Sequence, residues 1–118
     1  MSFGDVIRSE RPRVTVVLAA LTLIAGAAWA VASTPHQVSQ AGRLFRPAEI
    51  QIDRGETVEL LNDDGDLLHH AYIDSDRMNF DSGDLRPGAR ASIKFSIAGD
   101  FVVLCAIHPK MKLLVRVK

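Results

Sequence analysis

The sequence predicts an all-β protein, a Greek-key antiparallel β-sandwich, preceded by an N-terminal apolar helix. Three observations predict this fold class. Six or seven short segments of alternating hydrophobicity follow one another at intervals of about 8–12 residues. Turn-forming residues separate these segments, and a single long uncharged run precedes them all. The chain has 118 residues, which is enough for one domain of ordinary size.

The N-terminal helix is predicted from residues 14–32, which carry no charge and directly follow Arg8, Arg11 and Arg13. At ~1.5 Å per residue a helix of this length spans roughly 28 Å, close to the ~30 Å hydrocarbon core of a bilayer. The arginines favour a cytoplasmic N-terminus, so that the rest of the chain is exported. No polar face interrupts the run, which argues against a buried core helix.

The domain organisation follows from this run. Residues 1–32 are predicted to be a signal peptide or a membrane anchor helix, residues 33–43 a tether, and residues 44–118 the β domain. Ala30-Val31-Ala32 offers a signal peptidase site, whereas the apolar stretch is longer than a usual signal core, so both readings stay open. We expect His36, in the tether, to be solvated. Either reading places the β domain in the periplasm or on the extracytoplasmic face of the membrane.

Composition excludes several classes of protein. Lysine and arginine residues (14) equal aspartate and glutamate residues (14), so no bulk charge favours nucleic acid. A hydrophobic content of 47% is typical of a globular protein, not of a disordered chain. The single cysteine, Cys105, excludes an internal disulfide, and its thiol is therefore buried filler, a reactive group or a metal ligand.

The strands are predicted in chain order from period-two alternation. Arg54-Gly55 turns the chain after the first predicted strand, a polar cluster at residues 62–66 follows the second, and Gly99-Asp100 precedes the strand that ends at Cys105. Residues 74–88 form a long polar section that contains Pro87-Gly88. The predicted strands are residues 50–52, 58–60, 67–73, 91–95, 101–105 and 113–117.

The segment after the fifth of these strands carries the most chemical information. Cys105, His108 and Met111 follow one another at three-residue intervals, and Pro109 makes this segment a loop rather than a helix. A thiolate, two imidazole nitrogens and a weak axial thioether are the donors of a blue copper site. Zinc would recruit more cysteine, histidine or carboxylate ligands and has little use for methionine. The loop therefore predicts a copper site that needs one further histidine.

Two adjacent histidines can supply that ligand. Because side chains alternate along a strand, only one of His69 and His70 can face the metal. His69 would share its face with Ala71 and Ile73, and His70 would share the other face with Tyr72. The smaller and continuous apolar face favours His69, and His70 remains the alternative.

At these residues the sequence resembles the cupredoxins, the family of plastocyanin, pseudoazurin and amicyanin. The Cys105-x-x-His108-x-x-Met111 motif has the short spacing of amicyanin, whereas plastocyanin and pseudoazurin have two more residues between the histidine and the methionine. The resemblance covers roughly residues 44–118 and includes Phe45-x-Pro47, the strand at 50–52, and Gly99-Asp100-Phe101.

The resemblance implies one bound copper ion that cycles between Cu(I) and Cu(II), held by His69, Cys105, His108 and Met111. It implies an electron carrier rather than an enzyme. Its redox partner would be a cytochrome, dehydrogenase or oxidase that docks around His108. We expect a monomer that binds no nucleic acid and contacts the membrane only through an uncleaved N-terminal segment. In the family an asparagine follows the first histidine and ties the two ligand segments together. His70 replaces it here.

Other classes of function stay open at this point. The domain could bind copper in the periplasm to deliver or store it, without an electron-shuttle role. It could also be a metal-free accessory domain tethered to a membrane complex. A Cys-His nucleophile is disfavoured, because no third orienting residue accompanies the pair.

Overall fold

The computed structural model describes Gly4, residues 25–29 and residues 32–118. The chain divides into two units, Met1–Ala30 and Val31–Lys118. Most of the predicted apolar helix at residues 14–32 lies outside the described residues, and residues 25–29 and Ala32 have no regular secondary structure. Within the described part of the chain, no helix has both the length and the apolar character needed to cross a membrane.

Nine β-strands form in the described residues of the second unit. Period-two alternation marks most of them, with every second side chain buried. Their bounds are β1 His36–Ala41, β2 Leu44–Arg46, β3 Glu49–Ile52, β4 Thr57–Asn62, β5 His69–Asp74, β6 Asn79–Leu85, β7 Arg90–Lys94, β8 Gly99–Leu104 and β9 Lys112–Val117.

The strands form two sheets, with orders β2-β1-β4-β7 and β3-β9-β8-β5-β6. The prediction of an all-β sandwich is confirmed, but the prediction of purely antiparallel sheets is wrong. β1 runs parallel to β4, and β3 runs parallel to β9. The chain passes from one sheet to the other between β2 and β3 and returns between β3 and β4, so neither parallel pair is joined by a hairpin. A hairpin would require antiparallel strands, whereas strands joined through a longer connection can pair in parallel. Both sheets are therefore mixed.

The prediction of a tether over residues 33–43 is wrong for residues 36–41, which form β1. This strand pairs with β2 and β4, and it buries Val38 and Gln40 on one face. A buried glutamine conceals the alternation that would mark the strand in the sequence. His36 is not a freely solvated residue either, because its Nε2 lies 3.1 Å from a carboxylate oxygen of Glu56.

The polar section at residues 74–88 contains β6, which the sequence does not predict. β6 pairs antiparallel with β5 at the edge of its sheet, and Leu85 is its one fully buried residue. An edge strand of this kind lacks alternating apolar side chains. The sequence of β6 therefore does not show the period-two pattern that predicts a strand.

The inward faces of the two sheets form one hydrophobic core. Phe95 and Phe101 pack with ring centroids 5.8 Å apart, and both rings are buried. The apolar surface removed from water stabilises the sandwich by about 25 cal/mol per Å². The core also reaches the connection between β8 and β9, because Cys105 and Met111 belong to it.

Candidate metal centre

Three connections meet near the start of β5. They are the β1–β2 turn at residues 42–43, the β4–β5 connection at residues 63–68 and the β8–β9 loop at residues 105–111. β5 and β8 are antiparallel neighbours with Tyr72 opposite Leu104, so the beginning of β5 lies at the same end of the sheet as the end of β8. His69 is the first residue of β5, and Cys105 directly follows β8.

His69, Cys105 and His108 form a compact cluster of metal-binding side chains. One donor atom from each residue lies within 4.8 Å of the other two. Cys105 Sγ is 3.8 Å from His108 Nδ1, and the two imidazole centroids are 5.0 Å apart. His69 and Cys105 are buried, whereas His108 is partly exposed. One imidazole from the start of β5 and a thiol and a second imidazole from the β8–β9 loop therefore lie around a single point.

Met111 is the last residue of the same loop and is fully buried. Its backbone N–H donates to the carbonyl oxygen of His108 at 2.9 Å, which closes the loop as a tight turn. The fourth residue of the predicted ligand set therefore lies on the buried side of the loop that carries the thiol and one imidazole.

His70 lies on the other face of β5 and does not join the cluster. Its Nε2 is 2.7 Å from Asp81 Oδ1, and its Nδ1 is 3.4 Å from Asp84 Oδ1, both on β6. The alternation of β5 buries His69 with Ala71. Both hydrogen bonds of His70 therefore go to β6, and neither goes to the loop at residues 105–111, the contact that the resemblance implies for this position.

The ring of His69 has one nitrogen paired and one unpaired. Nε2 lies 2.5 Å from Asp64 Oδ2, and because an ionised carboxylate only accepts, Nε2 carries the proton. Nδ1 is buried without a hydrogen-bond partner. Leaving a buried polar atom unpaired costs about 1–3 kcal/mol. A metal ion in the cluster would give this lone pair its partner, so the residues present fit a bound metal.

Asp64 is the residue of the site that the sequence does not predict. Its Oδ1 accepts from the backbone N–H of Gly42 at 3.0 Å, and this bond, followed by that of His69, holds the pKa of Asp64 below its ordinary value. Residues 62–66 are predicted only to be a turn. A carboxylate five residues before a histidine is too common a pattern to indicate a contact.

His108 has a pKa below its ordinary value, chiefly because burial disfavours the charged ring. The electrostatic effects of His69 and Arg43 lower the pKa of His108 further. The neutral imidazole is the form with a free lone pair, so this environment favours the form of His108 that binds a metal.

An apolar surface surrounds the exposed part of His108. Leu44 and Ile107 are 51% and 41% exposed, and they line a shallow groove together with Pro109, Arg43 and Lys110. We call these five residues and His108 the His108 patch. The exposed part of His108 is therefore bordered by three apolar side chains and two cationic ones.

The donor set discriminates between metals. A soft thiolate, two imidazoles and a buried thioether in the same loop suit copper, whereas a structural zinc site is usually closed by four cysteine or histidine ligands. In the described residues Cys105 is the one free cysteine, and it lies inside the cluster. The arrangement is suited to a one-electron metal couple in a largely buried site.

Comparison with known proteins identifies the fold. No protein-family model and no curated protein sequence matches the chain. Among solved structures, the Cu-containing nitrite reductase (NirK) from Thermus scotoductus SA-01 is 33% identical, with a TM-score of 0.68 over 75% of this chain. The chain spans 23% of the length of that reductase.

Amicyanin structures match over most of their own length. A variant of amicyanin in the Cu(I) form and another in the oxidized state are each 22% identical to the chain, with TM-scores of 0.67. Each match covers 75% of this chain and 87% of the amicyanin. The β domain therefore has the cupredoxin fold, and its His-Cys-His cluster fits a blue copper site.

Proposed function

We propose that this chain is a type 1 (blue) copper protein that carries single electrons between redox partners outside the cytoplasm. The observation that carries this proposal is the cluster of His69, Cys105 and His108, in which a buried imidazole nitrogen of His69 has no protein partner. We assign these three residues as strong ligands and Met111 as the axial ligand of one copper ion.

The chain's role is to hold its donors still while the charge of the site changes. Bound copper would supply the one-electron couple between Cu(II) and Cu(I). Cys105 is fixed by its position directly after β8, and His69 by its place at the start of β5. Both side chains are buried, and Cys105 belongs to the hydrophobic core. Because little can move, little reorganisation accompanies electron transfer.

His108 connects the buried cluster to the surface. Its ring lies 5.0 Å from that of His69 on one side and within the His108 patch on the other. We propose that electrons enter and leave at this ring. The apolar residues allow close approach without a large desolvation cost, and Arg43 and Lys110 favour a partner with an acidic docking face. Such encounters bury little surface and are short-lived.

We propose a carrier rather than an enzyme. The nitrite reductase is an enzyme by its name, but the chain spans 23% of it, so its activity is not transferred to this chain. A cytochrome, dehydrogenase or oxidase of the same compartment is the proposed partner. The extracytoplasmic location and the monomeric state are proposed with it, the location because of the uncharged run at residues 14–32 that follows three arginines.

Voltammetry of the copper-loaded protein tests this function. We expect a reversible one-electron wave, with copper retained through repeated cycles. A protein that delivers copper would instead release Cu(I) to a competing chelator and give no stable wave. That result would replace the carrier function with delivery.

Replacing Ile107 with lysine should slow electron exchange between the Cu(I) and Cu(II) forms of the protein. The new charge removes an exposed apolar contact and adds to the repulsion between two facing His108 patches. We expect a decrease of about tenfold at low salt, since charge changes association rates by 10–10³. NMR line broadening in mixtures of the two forms measures this rate.

Val102→Lys is the matched control for this variant. Val102 is exposed to a similar degree, 42%, but it lies on β8 outside the patch. Its exchange rate should equal that of the unaltered protein. An equal decrease in both variants would mean that exchange does not occur through the His108 patch.

Replacing Met111 with leucine should keep the blue colour and raise the reduction potential. Leucine has a similar volume, so the buried position tolerates it at a cost below about 1.5 kcal/mol. Loss of the thioether donor disfavours Cu(II) relative to Cu(I). Voltammetry measures the shift, and Met78→Leu, outside the loop, is the control. An unchanged potential in Met111→Leu would remove Met111 from the proposed ligand set.

A further inference from the structure

We propose that Asp64 is the positioning residue of His69, and that it fixes the imidazole tautomer in which Nδ1 is free to bind the metal. The part of this inference that concerns the metal rests on the proposed function. The part that concerns the tautomer does not, because the contact between Asp64 and His69 is a property of the metal-free chain.

The two oxygens of the Asp64 carboxylate have different partners. Oδ2 lies 2.5 Å from His69 Nε2, and Oδ1 accepts from the backbone N–H of Gly42 at 3.0 Å. The carboxylate therefore bridges the β1–β2 turn and the first residue of β5. Hydrogen bonds to an ionised acceptor are short and about twice as strong as those between neutral groups.

Asn62 holds the backbone that carries Asp64. Its Oδ1 accepts from the N–H of Asp64 at 3.0 Å, and its Nδ2 donates to the carbonyls of Leu67 and Leu85 at 2.8 and 2.7 Å. Asn62 itself is fully buried. The loop at residues 63–68 is therefore fastened at both ends, and the carboxylate is already in place before any metal binds.

The chemical consequence concerns the two nitrogens of His69. A neutral imidazole carries its proton on one nitrogen and its lone pair on the other. The carboxylate requires the proton on Nε2, which leaves the lone pair on the buried and unpaired Nδ1. A carboxylate behind the ring also makes the ligand a better donor, and this favours Cu(II) over Cu(I).

The same carboxylate connects the cluster to the docking surface. Gly42, which donates to Asp64, directly precedes Arg43 and Leu44 of the His108 patch. Asp64 therefore fixes the position of the turn that supplies these two residues, as well as the orientation of the buried ring.

Asp64→Asn tests the inference because an amide has a single acceptor oxygen. It cannot accept from both His69 Nε2 and Gly42 while keeping the present geometry, and its NH₂ group would face one of these donors. We expect His69 in the metal-free variant to populate the Nδ1-protonated tautomer. We also expect Cu(II) affinity to fall by about 10–100-fold and the reduction potential to rise.

Nitrogen-15 NMR of the histidine rings, copper titration and voltammetry measure these effects. Asp63→Asn is the matched control, since Asp63 is the exposed neighbour of Asp64 and bonds to Gln40 through its backbone. The control should keep the tautomer, the affinity and the potential of the unaltered protein.

Two results would overturn the inference. One is a metal-free protein in which His69 carries its proton on Nδ1, and this measurement needs no variant to fold. The other is an Asp64→Asn protein that keeps the Nε2-protonated ring and an unchanged affinity and potential. If the unaltered protein binds no copper while His69 is Nε2-protonated, the proposed function fails and the tautomer assignment stands.

Discussion

The Cys105→Ser protein is expected to lose the intense blue absorption completely. This colour arises when a thiolate donates charge to Cu(II), and a serine hydroxyl is neither ionised at neutral pH nor soft enough to replace it. The loss should be total, because Cys105 is the one cysteine of the chain. Absorption spectra of the copper-titrated variant and of the unaltered protein measure it.

The folded state should survive this exchange, so that the loss of colour reports on the metal site. Serine is close in size to cysteine, and burial of its hydroxyl costs about 1–3 kcal/mol. Circular dichroism of the metal-free variant checks the fold. A blue Cys105→Ser protein would refute the assignment of the thiolate as a ligand.

Replacing His69 with alanine is expected to abolish the blue site, whereas replacing His70 is not. The first change removes one of two imidazole donors and leaves Oδ2 of Asp64 without its histidine partner. The second removes only the hydrogen bonds of His70 to Asp81 and Asp84, both of which are exposed. Exposed pairs of this kind contribute about 0–1 kcal/mol.

Copper titration followed by visible absorption separates the two variants. His70→Ala should take up one equivalent of copper with the colour of the unaltered protein, and it should unfold at nearly the same temperature. His69→Ala should remain colourless. The reverse pattern would make His70 the first histidine ligand. It would require the two faces of β5 to be exchanged, with His70 on the buried face.

Much of the fold can be predicted from the sequence where buried and exposed side chains alternate. β4 shows this pattern clearly, with Val58 and Leu60 buried on one face. β1 does not, because its buried positions are occupied by one valine and one glutamine. The parallel pairing of β1 with β4 depends on a crossover between the sheets, and local periodicity contains no information about such a crossover.

The candidate site divides in the same way. The spacing of Cys105, His108 and Met111 after a predicted strand is local and is visible in the sequence, and alternation along β5 favours His69. The contact of Asp64 with His69 depends on Gly42, which belongs to a turn between two other strands. No pattern of neighbouring residues predicts an arrangement that depends on the meeting of two separate connections.

Stepwise addition of Cu(II) to the unaltered protein, followed by visible absorption, tests the proposed site most directly. We expect an intense blue band that grows in proportion to added copper and stops at one equivalent. Copper uptake without that band, or no uptake at all, would mean that the side chains gathered at residues 69, 105 and 108 do not form a blue copper site.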